Sequence, residues 1–186
     1  MDQALNREEK DTLCELLGIP RKCYGNYPLM KSSFRQACLK FHPDKGGDEA
    51  LMQRLNSLWQ RFQQAVYQLR RDLASSFEVS ACFWECPAPT LEERMKWGFK
   101  ALFWKGPCCF LKSSLHSRCN CICCRLHRQH FSIKLLRNKR CLVWGECLCL
   151  SCFLLYFGFP PTWECIEEWQ KVILHTDFSL LHLQLY

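Results

Sequence analysis

No stretch of this chain is both long and apolar enough to span a bilayer. The most apolar run, Cys141 to Phe159, is interrupted by Gly145-Glu146, which leaves the 13 residues from Cys147 to Phe159. A helical span takes about 20. The opening, Met1-Asp2-Gln3-Ala4-Leu5-Asn6-Arg7-Glu8-Glu9, lacks the basic-then-apolar layout of a secretory signal. The expectation is an intracellular, reducing compartment without membrane insertion. No nucleophile motif surrounds any Ser, His or Asp, so the chain is not expected to be an enzyme. A finger's recognition helix between paired Cys and paired His is missing as well, which argues against nucleic acid as the target.

Cysteine is in excess. The chain of 186 residues has 16, of which 13 follow residue 80. Either a disulfide framework or a metal site would explain them, and a reducing compartment favours metal. The spacing C-x-C-x2-C occurs twice, as Cys119-Asn120-Cys121-Ile122-Cys123-Cys124 and as Cys147-Leu148-Cys149-Leu150-Ser151-Cys152. Thiolates held this close suit a soft tetrahedral ion such as zinc. The two triplets offer six thiolates and His130 a seventh donor. Two closed four-coordinate sites need eight, and Cys108 or Cys109 can supply the last. Cys123, Cys141 and Cys165 fall outside that count and read as core thiols. His116 and His127 read as surface residues, His127 competing with His130 on spacing. Because closed sites leave no open position for water, the metals would be structural.

The net charge is +7. It divides as 12 basic against 10 acidic residues up to residue 80, and 13 against 8 beyond. Such an excess tolerates an acidic protein face or nucleic acid without requiring either.

The first half reads as helices. Asn6-Arg7-Glu8-Glu9 fits a capping box. Leu13, Leu16 and Leu17 share a face, and Gly18 with Pro20 ends the helix. Pro28 suits the first turn of a second helix, with Met30, Phe34, Ala37, Cys38 and Phe41 as its apolar stripe. Lys31, Arg35 and Lys40 lie off that stripe as a basic outer face. His42-Pro43-Asp44-Lys45-Gly46-Gly47 must break the helix. After a cap at Asp48 comes a long helix with Leu51, Leu55, Leu58, Phe62, Ala65, Leu69 and Leu73 inward, predicted to end near Asp72, with a break at Ser75-Ser76.

This order resembles a J domain over about residues 7–73. The resemblance implies that His42, Pro43 and Asp44 stimulate ATP hydrolysis by a DnaK-type (heat-shock-70-type) chaperone. Asp44 would offer a carboxylate to a basic group, while Lys31, Arg35 and Lys40 steer an acidic chaperone surface.

Residues 75–107 read as a linker with a short helix starting at Thr90-Leu91-Glu92-Glu93. Its rings, among them Trp97, Phe99, Phe103 and Trp104, either dock on a partner or cover the metal module. One more helix, Trp163 to Leu174, is predicted with Trp163, Ile166, Trp169, Val172 and Ile173 inward. The fold class is therefore mainly α: a three-helix J domain (1–74), the linker, and a small Cys-rich two-zinc helical domain (108–186).

A J domain followed by this cysteine pattern resembles the small tumour antigens of polyomaviruses. Asn26-Tyr27-Pro28-Leu29-Met30, His42 to Asp48, Leu55-Asn56-Ser57-Leu58-Trp59, Leu142-Val143-Trp144 and Tyr156-Phe157-Gly158 also carry the match. The resemblance implies two zinc ions. One would be held by Cys121, Cys124, His130 and an upstream Cys, with Cys109 favoured over Cys108. The other would be held by Cys119, Cys147, Cys149 and Cys152. An extended C-x-C unit, whose side chains alternate sides, agrees with Cys119 and Cys121 serving different ions. The resemblance further implies a viral oncoprotein of the host cytoplasm and nucleus. It would bind the scaffold and meet the catalytic subunit of protein phosphatase 2A, displace regulatory subunits, inhibit or redirect the enzyme, and promote cell-cycle entry. The contact is expected in Trp104 to Cys109 and in the basic run Lys134 to Arg140. The rival readings are a zinc-dependent nucleic-acid-binding regulator and a cellular J-domain co-chaperone.

Overall fold

The computed structural model describes residues 5–82, 89–106, 109, 119–137 and 141–183, with backbone alone for 75–82 and for Arg137. Among the described residues the regular structure is helical, with isolated bridges at Thr90–Asp177 and Trp144–Cys147 and no strand. The chain divides into two compact units. One comprises Met1–Ser75 with Leu155–Gly158, the other Ser76–Leu154 with Phe159–Tyr186.

In the first unit, α1 (Arg7–Leu17) starts where the Asn6 side chain accepts the Glu9 N–H and the Glu9 carboxylate accepts the Asn6 N–H, both at 2.8 Å. These bonds satisfy two donors that every helix start leaves unpaired. Gly18 closes α1 at φ 66°, a left-handed cap that glycine adopts without a Cβ penalty. Helix α2 (Tyr27–Phe41) is capped by the Asn26 side chain, which accepts the Leu29 N–H at 3.2 Å. It buries Met30 and Ala37, and Phe34 stacks on Trp59 with centroids 4.6 Å apart.

Helix α3 runs Glu49–Cys82, so the stop expected near Asp72 is corrected. No Gly or Pro occurs from residue 48 to 86, and two serines cost a helix only tenths of a kcal/mol, roughly, against alanine. Its buried arc is Leu55, Leu58, Trp59, Phe62 and Val66, whereas Leu51 is exposed. Steps of three and four describe that arc; the predicted stripe missed Trp59 and Val66.

The turn between α2 and α3 is tight. Pro43–Lys45 form one 3-10 turn, His42 Nδ1 accepts the Asp44 N–H at 3.2 Å, and Gly46 sits at φ 77°. A Cβ on Gly47 would lie 2.3 Å from the Phe41 carbonyl carbon, so only glycine fits there.

The second unit has helices α4 (Leu91–Lys96), α5 (Ile122–Arg137), the part of α6 (Leu150–Phe157) up to Leu154, and α7 (Trp163–Leu174). Thr90 and Glu93 form the capping box of α4. Leu91, Ile122, Trp169 and Ile173 are fully buried and share one core with Phe103, Leu126, Phe153 and Leu181. The indole N–H of Trp169 donates to the Leu148 carbonyl at 3.0 Å. The stretch read as a linker therefore contributes Leu91 and Phe103 to this core. Its carbonyls at Leu102 and Phe103 accept the N–H groups of Ile122 and Cys123, satisfying the start of α5.

Of the residues expected inward on α7, Trp163 and Val172 are exposed, and the buried set is Ile166, Trp169 and Ile173. The buried arc is narrow, at steps of three and four. Trp163 meets Trp104 edge to face at 5.6 Å. No described helix is long and apolar enough to cross a membrane.

Candidate metal centres

Helix α5 positions most of the first cluster. Cys121 immediately precedes it and Cys124 lies in its first turn. On a helix, residues three apart share a side, and the Cys124 N–H donates to the Cys121 sulfur at 3.4 Å. Cys119 is turned back toward the same point: Arg128 donates to its carbonyl at 2.7 Å and to Asn120 Oδ1 at 3.3 Å. Cys109 completes the group, its sulfur accepting the Lys105 N–H at 3.4 Å. The four sulfurs of Cys109, Cys119, Cys121 and Cys124 all lie within 4.8 Å of one another.

The second cluster joins α5 to the start of α6. It comprises His130, Cys147, Cys149 and Cys152, again within 4.8 Å of one another. His130 Nδ1 is 3.5 Å from Cys147 Sγ and 3.3 Å from Cys152 Sγ. The Cys152 N–H donates to Cys149 Sγ at 3.4 Å.

These distances test the fit to a metal. Tetrahedral bonds of about 2.3 Å to sulfur and 2.0 Å to nitrogen put sulfurs about 3.8 Å apart, and sulfur about 3.5 Å from nitrogen. Cys109 is 3.6 Å from Cys121 and 4.0 Å from Cys119. Both groups match a tetrahedral, thiol-rich site, and no two described cysteines are bridged.

The eight expected donors are thus gathered as four and four, but the partition differs from the expected one: Cys119 and His130 change places. Cys124 and His130 are six residues apart on α5, about 9 Å of rise. Ligand atoms of one ion must lie within about 3.8 Å. His130 instead reaches the second triplet. Side chains do not alternate here as on a strand, because Cys121 leads straight into a helix. His127, the rival imidazole, stacks beside His130 with centroids 6.5 Å apart and belongs to neither group; burial pushes its pKa down. Cys108 and His116 lie outside the described residues.

Proton affinities show why such groups call for a cation. Burial raises the Cys109 thiol, but hydrogen bonds, first from Lys105, outweigh it and bring the pKa down to about 7. Cys121, by contrast, is pushed up to about 11, first by burial. In the second group Cys147 is held down to about 6, first by a hydrogen bond from Cys141, and Cys152 is pushed far up, first by the same neighbour. Thiolates this close repel, so they cannot all ionise together unless a dication takes the protons' place. Cys123 is different. Its buried thiol is pushed up to about 12 and donates to the Cys109 carbonyl at 3.2 Å, which leaves it a core thiol.

Cys141 differs from the core thiol that its place outside the donor count predicts. It is half-buried instead, with its sulfur 3.9 Å from His130 Nδ1. Nothing in the spacing singled it out.

Beside the first cluster is a cavity of about 280 Å³ bordered by Lys100, Lys105 and Arg125 together with Leu102 and Cys121. Of the expected phosphatase-contact stretches, Trp104 is half-buried, and Lys134, Leu135 and Leu136 are exposed. Pro107 and Cys108 in one stretch, and residues 138–140 in the other, lie outside the described residues. In the first unit, His42, Pro43 and Asp44 are exposed on their turn, and Lys31, Arg35 and Lys40 are exposed on α2.

The first unit is three helices around a His-Pro-Asp turn, as in a J domain, and the second is built on two thiol-rich clusters. A family profile described as T-antigen specific domain matches residues 92–183. The small t antigen of B-lymphotropic polyomavirus is 39% identical over 98% of this chain and 97% of its own. That of BK polyomavirus is 41% identical over 98% of this chain and 100% of its own. The middle T antigen of murine polyomavirus (strain A2) is 39% identical over 100% of this chain but 44% of its own length. Among solved structures, the NMR structure of the N-terminal J domain of murine polyomavirus T antigens is 49% identical, covering 38% of this chain and 90% of that one, with a TM-score of 0.35. The chain belongs to the polyomavirus small t antigen family.

Proposed function

We propose that this chain is a two-headed adaptor that acts by binding and catalyses nothing itself. Its J domain recruits a DnaK-type chaperone and stimulates ATP hydrolysis there, with His42, Pro43 and Asp44 at the contact and Lys31, Arg35 and Lys40 steering it. Its second half holds two structural zinc ions. Cys109, Cys119, Cys121 and Cys124 hold one, and His130, Cys147, Cys149 and Cys152 the other. The surface so formed binds the scaffold subunit of protein phosphatase 2A, adjoins the catalytic subunit, displaces regulatory subunits, and inhibits or redirects the enzyme. The outcome is host cell-cycle entry, with the chain working in host cytoplasm and nucleus.

The observation that carries this reading is the pair of closed four-donor groups in a chain of this family. Four protein donors leave no position for a substrate water, so such ions build a surface and do no chemistry. The cations at Lys100, Lys105 and Arg125 suit an acidic partner.

The test has two arms on the full chain. Phosphatase scaffold should co-precipitate with it, and capture no greater than with a control protein would end the phosphatase claim. ATP turnover by a DnaK-type chaperone should rise on adding the chain but not the His42→Gln variant; equal turnover with both would end the chaperone claim.

A further inference from the structure

The second cluster has one donor more than a tetrahedral ion can use. Cys141 Sγ lies 3.9 Å from His130 Nδ1, and Cys141 is the first cause of the opposite pKa shifts of Cys147 and Cys152. It therefore lies beside the grouped donors, at the imidazole. The spacing to nitrogen is within half an ångström of what two ligands of one ion require, about 3.5 Å.

The chain segments carrying the two competitors differ. His130 is fixed on helix α5, where Gln129 ties the helix to the Leu181 and His182 carbonyls at 3.0 and 2.8 Å. Cys141 is in irregular backbone before α6, half-buried, next to the buried pair Leu142 and Val143. A sulfur at that place can advance on an ion by side-chain rotation while the helix stays where it is.

We infer that Cys141 is a reserve ligand of the second site, able to take the place of His130 and convert a three-sulfur, one-nitrogen set into four sulfurs. The inference rests on the zinc reading above. Which of the two donors binds is then set by the metal: zinc accepts imidazole and thiolate alike, whereas a softer ion selects thiolate. The second site would then tolerate loss of its imidazole.

The experiment counts zinc in the full chain and reads its ligands by X-ray absorption. His130→Gln, which keeps a good helix former on α5, should retain as many zinc ions as the unaltered chain, with sulfur replacing nitrogen at one of them. Cys141→Ser alone should change neither count nor ligands. The double variant should lose one ion. Loss of an ion in His130→Gln alone overturns the inference, as does full retention in the double variant. An unaltered chain that binds no zinc overturns the zinc reading itself, a different result from either. Should His130→Gln fail to fold, cadmium decides on chains that retain His130. The ¹¹³Cd spectrum of the unaltered chain should show four-sulfur coordination at both sites, and Cys141→Ser should move one resonance to the three-sulfur, one-nitrogen range. Superimposable spectra overturn the inference.

Discussion

The two halves of this chain obtain order by different physics. In the head, apolar residues recur at helical spacing along α1, α2 and α3, and one aromatic cluster of Tyr24, Phe34, Trp59 and Phe62 fills the space between them. Each helix start has its own cap at Asn6, Asn26 or Asp48. In the second half the core includes seven buried cysteines that lie among Ile122, Trp169 and Ile173. A fold built on burial and caps is stable without a ligand. One that buries clustered thiols depends on whatever neutralises them.

The largest effect follows from that difference. Stripping metal with a strong chelator should collapse residues 108–152 while residues 7–73 stay helical. Residue-resolved amide NMR would show this as loss of dispersion confined to the second half. Equal survival of both halves would break the comparison. Next in size are the core deletions. Trp169→Ala and Phe62→Ala each empty a fully buried site, at a cost of about 3–5 kcal/mol. The first should also weaken zinc binding, because metal binding and folding of that half are linked. The second should unfold the head and leave the zinc count unchanged. Denaturant melts followed beside metal release would separate them.

The same contrast decides what could be read from the sequence. The head was legible because its signals are local: a cap, a stripe, a glycine at a left-handed position. Where local pattern ran out, so did accuracy. Trp59 and Val66 lie on the buried arc of α3 though the chosen stripe omitted them, and Ser75-Ser76 looked like a stop although no breaker occurs there. In the second half the donor types could be found from C-x-C-x2-C spacing, but their partition depends on a helix, α5, whose buried apolar residues are confined to its first turns: Ile122, Cys123, Cys124 and Leu126 are buried, whereas Leu135 and Leu136 are exposed. Such a helix has little periodicity to read. Had it been seen, the rise between Cys124 and His130 would have assigned them to different ions. Cys141 carried no signal, since its place beside His130 depends on where an irregular loop returns.

A smaller effect sharpens the division of labour. His42→Gln and Asp44→Asn alter exposed groups on the turn after α2, so stability should change by about 0.5 kcal/mol or less. Chaperone stimulation should be lost, and phosphatase capture kept. Losing both activities together would favour a plain co-chaperone over a two-headed adaptor.

The smallest effect concerns acid. Glu9 is held below the ordinary carboxylate range, first by the hydrogen bond from the Arg61 side chain and then by the Asn6 N–H; one Arg61–Glu9 contact measures 3.1 Å. A carboxyl that is more acidic folded than unfolded stabilises the head above its unfolded pKa, about 4.3 for a glutamate. That contribution fades as pH falls through the folded value, because the unfolded state takes up protons first. Arg61→Met should therefore lower the head's neutral-pH stability slightly, the pair being exposed and screened by salt, and leave its stability at the acid end unchanged, so that its acid limb is shallower. The second half should respond to acid more steeply and at higher pH, because there protons compete with a metal for thiolates and an imidazole. Melts of the two halves followed separately across the acid range would test this. Identical acid limbs would mean that the halves do not, after all, depend on different chemistry.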